Sequence, residues 1–227
     1  MAKELDLEEQ EQLDQLKHFW KQYGNLITWV LIAILATYAS WNGYHYWQRS
    51  QATQASALYG ELERLAAQGD PDKVQRAFTD MKDKFGGTTF AMQAGLLNAK
   101  LQQDAGKAEQ AKAALTWVAE NASDPAYQAI ARLRLAAALA QTKDYPAAMA
   151  RLDGDFPPAF QALVADRKGD LLMLQDKPAE ARAQYEKAYK GLDTRTEYRQ
   201  VVEIKLTALG ADPRPQAGIA VTAEGQK

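Results

Sequence analysis

Between Lys21 and Arg49 the chain runs for 27 residues without a single Asp, Glu, Lys or Arg. Inside that interval Leu26–Ala39 reads LITWVLIAILATYA, almost wholly apolar. Extended to Tyr46 the run holds about 20 residues, enough at about 1.5 Å per residue to cross a hydrocarbon core of roughly 30 Å. Aromatic residues bracket it: Trp20 and Tyr23 before, then Trp41, Tyr44, Tyr46 and Trp47 after. Rings with an apolar body and a polar tip suit the two headgroup zones, so these six residues are expected at the membrane interfaces. The spacing predicts one transmembrane helix over residues 23–47. A buried core helix would have no need of aromatic clusters at both ends. A cleavable signal would open on a short basic segment, whereas the preceding 21 residues are acidic, so the anchor is expected to be retained.

Charge orients the anchor. Residues 1–21 carry six acids against three lysines, leaving 24 basic and 23 acidic residues in the remainder. Acidic residues count little in the positive-inside rule, and Lys17 and Lys21 lie closer to the span than the lone Arg49. The arm over residues 1–22 is therefore expected in the cytoplasm, with everything after the span across the membrane. The arm's first 15 residues are expected to be either disordered or a surface helix. A formal net charge of -2 gives no footing for nucleic acid. Cysteine is absent, which excludes thiolate catalysis, disulfides and cysteine-ligated metals.

From Tyr46 to Leu209 the chain reads as short amphipathic helices between compact turns. Turn signals stand at Gly69-Asp70-Pro71, Gly86-Gly87, Asp104-Ala105-Gly106, Ser123-Asp124-Pro125, Asp144-Tyr145-Pro146, Phe156-Pro157-Pro158 and Gln175-Asp176-Lys177-Pro178. Several place Asp before Pro, a cap followed by a first-turn proline. No run of alternating β-branched residues occurs, so an all-α domain is expected over residues 48–209. Ala162–Lys190 resembles a tetratricopeptide (TPR) motif, with Gly169 at the small position of its first helix and Ala181, Tyr185 and Ala188 on its second. Weaker copies place Ala148 and Leu152, then Ala111, Leu115 and Val118, then Val74, Phe78 and Met81 in the same register. Positions 74, 111, 148 and 181 are spaced by 37, 37 and 33, close to the TPR period. A final helix over about Arg195–Leu209 is expected to cap the stack, because an open hairpin exposes an apolar face. Residues 210–227 are poor in large apolar groups and are expected to form a disordered tail.

Candidate chemistry is thin. His18 and His45 flank opposite ends of the anchor and cannot share a site. The carboxylates sit among lysines and arginines on helix faces, and no G-x-S-x-G, P-loop or G-x-G-x-x-G occurs. No enzyme, cofactor or metal site is expected. A partner groove, by contrast, is expected on the concave face lined by the first helix of each hairpin, at Gln93, Leu96, Lys100, Leu133, Ala137, Asp166 and Asp170. It is mixed in character and lacks a dense basic clamp, which suits a partner domain or an extended, partly apolar chain. Asn42 and Gly43, within the aromatic stretch WNGYHYW, could also allow close packing against another membrane helix.

The acidic arm, LDQLKHFWKQYGN, one apolar span, WNGYHYW and a TPR-like domain ending near LTALG together resemble the YfgM family, the ancillary subunit of the bacterial SecYEG translocon. The resemblance covers roughly residues 4–210. It implies an inner-membrane protein with its TPR-like domain in the periplasm, associated with SecYEG and with the chaperone PpiD. It further implies a role in passing exported polypeptides to periplasmic chaperones. Through the cytoplasmic arm it implies restraint of the response regulator of the Rcs stress pathway. The residues alone reach only a membrane-tethered helical-repeat binding module, which would equally fit a scaffold for cell division or outer-membrane assembly.

Overall fold

The computed structural model of the chain describes residues 7–213, and the expectations for residues 1–6 and 214–227 lie outside that range. All regular structure among the described residues is helical: α1 (Leu7–Ala67), α2 (Pro71–Phe85), α3 (Thr89–Asp104), α4 (Ala108–Asn121), α5 (Pro125–Gln141), α6 (Tyr145–Arg151), a 3-10 turn (Pro158–Phe160), α7 (Gln161–Met173), α8 (Pro178–Gly191) and α9 (Tyr198–Ala208). Among the described residues, those up to Gln54 form one compact unit and those from Ala55 onward a second.

The first unit is the greater part of α1. The helix extends well beyond the predicted span at both ends, so the arm is helical from Leu7 onward. Only isolated glycines interrupt its 61 residues, and each costs an exposed helix about 1 kcal/mol relative to alanine, too little to end it. Leu26, Trp29, Leu31, Ile34 and Leu35 all face outward. This is the one helix among the described residues long and apolar enough to cross a membrane. Polar side chains within it turn back onto their own helix: Thr28 Oγ1 donates to the Gly24 carbonyl and Thr37 Oγ1 to that of Ala33, each at 2.8 Å. Asn42 Nδ2 donates to the Tyr38 carbonyl at 3.2 Å. Each donor is thus satisfied without water, as a hydrocarbon environment demands.

In the second unit every turn signal read from the sequence separates two helices. Asp70, Asp124 and Asp144 cap α2, α5 and α6 by accepting backbone amides, each with a proline in the first turn that follows. The turn inside each hairpin carries one left-handed residue: Gly69, Gly106, Lys143 and Asp176, at φ of 71, 73, 61 and 55°. These repeat the 37, 37, 33 spacing five residues ahead of the register read from the sequence. In three of the turns the next amide (Lys107, Asp144, Lys177) donates back to a carbonyl of the finished helix (Gln102, Leu139, Leu172) at 2.8, 3.0 and 3.0 Å, closing its last turn.

The repeat register is the buried one. Val74, Ala111, Ala148 and Ala181 are buried, and so are Phe78, Leu115, Leu152 and Tyr185 four residues on. Twelve residues earlier on the first helices, Leu62, Ala99, Ala136 and Gly169 are buried as well. The hairpins are therefore the end of α1 with α2, α3 with α4, α5 with α6, and α7 with α8. Close approach is most acute at Gly169, where a Cβ would lie 2.5 Å from the Tyr185 ring. At Gly95 it would lie 2.5 Å from Val118. One polar network is buried between α2 and α3: Asn98 Nδ2 donates to Gln75 Oε1 at 2.8 Å, and Gln102 Nε2 to the Pro71 carbonyl at 2.7 Å. The third hairpin departs from the pattern. Its second helix, α6, has 7 residues where α2 has 15 and α4 and α8 have 14. Gly154, at φ 85°, and Pro157-Pro158 divert the chain before two further turns can form.

Candidate functional site

Two sets of residues are candidates for function: the aromatic clusters of α1 and the groove residues expected on the first helices of the hairpins. In the first unit Trp20 and Tyr23 are exposed near one end of the apolar run, and Trp41, Tyr44, Tyr46 and Trp47 near the other. Trp20 and Trp41 stand roughly 30 Å apart along the helix axis, at about 1.5 Å per residue. The second belt is stacked along the helix, with Trp41 edge-on to His45 at 4.6 Å and Tyr44 tilted against Trp47 at 6.2 Å. The first belt pairs Tyr23 with Phe19 at 5.1 Å.

In the second unit the predicted groove residues fall in one register. Leu96, Leu133 and Asp166 each stand three residues before the small position of their helix, and Lys100, Ala137 and Asp170 one residue after it. The structure gives them different environments. Lys100 is exposed, while Leu133 and Ala137 are half-buried on α5. Leu96 is buried in the core shared by α1 to α5. Gln93 donates to the Tyr127 hydroxyl at 2.9 Å, and Gln103 to Gln141 at 2.9 Å, so α3 and α5 are linked by side chains at both ends.

Asp166 and Asp170 are brought together by a residue the sequence reading did not single out. Lys205 of α9 meets Asp166 Oδ1 at 2.8 Å and Asp170 Oδ1 at 2.6 Å. The Tyr198 hydroxyl donates to Asp166 Oδ2 at 2.6 Å, and the Tyr185 hydroxyl to Asp170 Oδ1 at 2.8 Å. The Asp166 side chain is only 2% exposed, so its charge depends on these partners. Burial, then donation to the neighbouring carboxylate, pushes both phenols well above their ordinary pKa of 10.0. The two carboxylates thus hold α9 against α7 and α8. Tyr198 itself belongs to a further series, Phe90, Tyr127, Phe160 and Tyr198, one aromatic at or just before the start of α3, α5, α7 and α9. The first three of these are spaced by 37 and 33, so the signal was present in the sequence. Arg132 had no such signal. Its guanidinium donates to the carbonyls of Arg151, Asp153 and Asp155 and lies 3.8 Å over the Phe156 ring, pinning the connection that replaces the end of α6.

Among known proteins, a family model for the tetratricopeptide repeat-like domain matches residues 17–211. A protein of Neisseria gonorrhoeae named ancillary SecYEG translocon subunit is 31% identical over 204 residues, covering 89% of this chain and 98% of its own. Proteins of the same name from Escherichia coli K12 and Haemophilus influenzae are 26% and 28% identical, covering 88% and 80% of this chain and 96% and 89% of their own. Long apolar helix, hairpin register and near-complete alignment agree: the chain belongs to the family of ancillary SecYEG translocon subunits.

Proposed function

We propose that this chain is a single-pass inner-membrane protein that docks at a SecYEG-type translocon and binds other proteins without catalysing a reaction. The near-complete alignment with proteins named for that role carries the reading, and the exposed apolar helix followed by a hairpin array supports it. In this reading residues 1–22 form a cytoplasmic arm, 23–47 the span, 48–209 the periplasmic domain and 210–227 a tail. Lys17 and Lys21 beside the first belt favour that orientation. The array would present its concave face, with Lys100, Leu133 and Ala137, to a periplasmic chaperone such as PpiD and to exported polypeptides. The arm would engage the Rcs response regulator. Tethering raises the effective concentration of a weak docking surface near the membrane, so modest contacts suffice. In-cell photo-crosslinking from Trp41, Trp47 and Lys100, with adducts identified by mass spectrometry, tests the reading. Adducts to translocon subunits from the tryptophans and to a periplasmic chaperone from Lys100 are expected. Adducts confined to cell-division or outer-membrane machinery would replace it with the scaffold alternative.

A further inference from the structure

We infer that α9 is the first helix of a fifth hairpin, and that residues 214–227 of the same chain fill the seat of its second helix, held through Ile219 and the Arg199 guanidinium. The inference does not depend on which membrane complex the anchor joins.

The turn after α9 points to the missing half. Gly210 has φ 73°, and the Ala211 amide donates to the carbonyl of Leu206, five residues back, at 3.0 Å. Lys107, Asp144 and Lys177 make the same bond in the turns inside the second, third and fourth hairpins, whereas among the described residues none follows α2, α4, α6 or α8. In this chain the helix-closing turn therefore marks the middle of a hairpin, where the chain doubles back onto the helix it has left. Counted from that turn, the positions by which α7 meets α8, Ala165 and Gly169, correspond to Arg199 and Glu203 on α9. Ala165 and Gly169 are buried, but Arg199 and Glu203 are only half-buried. Beside them a cavity of about 300 Å³ lies between α8 and α9, lined by Arg182, Tyr189, Lys190 and Arg199 and by Pro213, the last described residue.

The third hairpin shows what fits such a seat. Eleven residues before the left-handed turn residue, the first, second and fourth hairpins carry Leu58, Gly95 and Ala165, while the third carries Arg132 and α9 carries Arg199. Where α6 stops short, Arg132 donates to the carbonyls of Arg151, Asp153 and Asp155 in the connection that follows. Those carbonyls stand 8, 10 and 12 residues after Lys143, and the same count from Gly210 reaches Gly218, Ala220 and Thr222. Arg199 lies over the Tyr189 ring at 4.1 Å, and its buried Nε has no hydrogen-bond partner. A buried donor is costly to leave unpaired, and a backbone carbonyl of the occupant relieves that cost. Nine residues after each left-handed residue stands a buried large side chain, Phe78, Leu115, Leu152 or Tyr185, and the ninth after Gly210 is Ile219. Composition alone predicts disorder for this segment because it lacks large apolar groups, but the seat asks for only one. Pro213, Pro215 and Gly218 oppose a helix, and Glu203 at the small position keeps one at a distance, so the occupant is extended chain. Residues 215–223 (PQAGIAVTA) carry no charge, and Arg182 is already paired with Glu186 at 3.0 Å, so docking breaks no ion pair there. The segment departs from Pro213 at the cavity itself, so only a short loop has to be closed.

The test uses the full-length protein in detergent micelles. The chain has no cysteine, so Lys190→Cys with Ala220→Cys, and the control Lys84→Cys with Ala220→Cys, each introduce a single reactive pair. A short bismaleimide is expected to join the first pair within one chain and to leave the control pair unjoined, read by intact mass and peptide mapping. Deletion of residues 214–227, or Ile219→Asp, should speed amide exchange in α9 by roughly tenfold, the effect of exposing about half an isoleucine side chain. Ile219→Leu should leave α9 exchange unchanged, and exchange in α3 should be unaltered in every variant. Equal joining of both pairs, a joint formed only between two chains, or α9 exchange indifferent to the deletion would overturn the inference.

Discussion

At Gly169 the absence of a Cβ lets α7 lie against the Tyr185 ring, and the ring cannot swing away because its hydroxyl is bonded to Asp170. Gly169→Ala is therefore expected to destabilise the chain by about 1–3 kcal/mol, seen as a lower midpoint in chemical denaturation of the detergent-solubilised protein. The opposite sign is expected at Lys143. It occupies the left-handed position that Gly69 and Gly106 fill in the first two hairpins, and an L side chain is disfavoured there. Lys143→Gly should raise stability by about 1 kcal/mol. The phenols of Tyr185 and Tyr198 are held above their ordinary pKa of 10.0, so the fold favours their protonated forms. Their contribution is complete below pH 10 and is lost as pH climbs through the raised values in the folded state. Thermal stability followed across alkaline pH should accordingly decline above about pH 10, with a shallower decline in Tyr198→Phe. Several of these positions were legible in the sequence. Gly169, Ala181 and Tyr185 were, because small and large residues at helical spacing encode close packing. Lys205 was not, because a lysine on a terminal helix carries no mark of facing two carboxylates 39 and 35 residues away.

Elements were more legible than sites. All seven turn signals separate helices, since proline, glycine and capping aspartate act on the backbone next to them and need no tertiary context. The length of α6 was missed for the complementary reason. Its early end is set by Gly154 and the paired prolines beyond it, and by Arg132 from another helix, which holds the diverted strand of chain. The extent of α1 was missed too, because hydropathy delimits a span but says nothing about where a helix on either side must stop. Within α1, Ile34 lies near the middle of the apolar run and is exposed. Ile34→Arg is expected to cost insertion about 3 kcal/mol at the bilayer centre, read as an increased alkali-extractable fraction in isolated membranes. Trp20→Arg, at the edge of the run, should leave that fraction almost unchanged.

Across the whole second unit the hydrophobic contacts pass from neighbour to neighbour. One buried cluster runs from the end of α1 to α5, a second from α5 to α7 and a third from α7 to α9. The middle cluster is smaller than the first, no larger than the third, and contains the shortened α6. In an array of this kind stability is a sum over adjacent hairpins, so local opening follows the weakest junction. Hydrogen exchange followed by mass spectrometry should show the fastest amides outside the turns in α6, and the slowest in α3 and α4. Uniform protection along the array would contradict that division. Because each hairpin needs only the one before it, a chain delivered from its N-terminal end can pack its first hairpins while later ones are still emerging. The exception is α7, whose two carboxylates wait for a lysine 39 and 35 residues further on. A nascent chain that has delivered α8 but not α9 still has Asp166 and Asp170 without that ammonium. Arrival of Lys205 then marks the moment at which the array is finished.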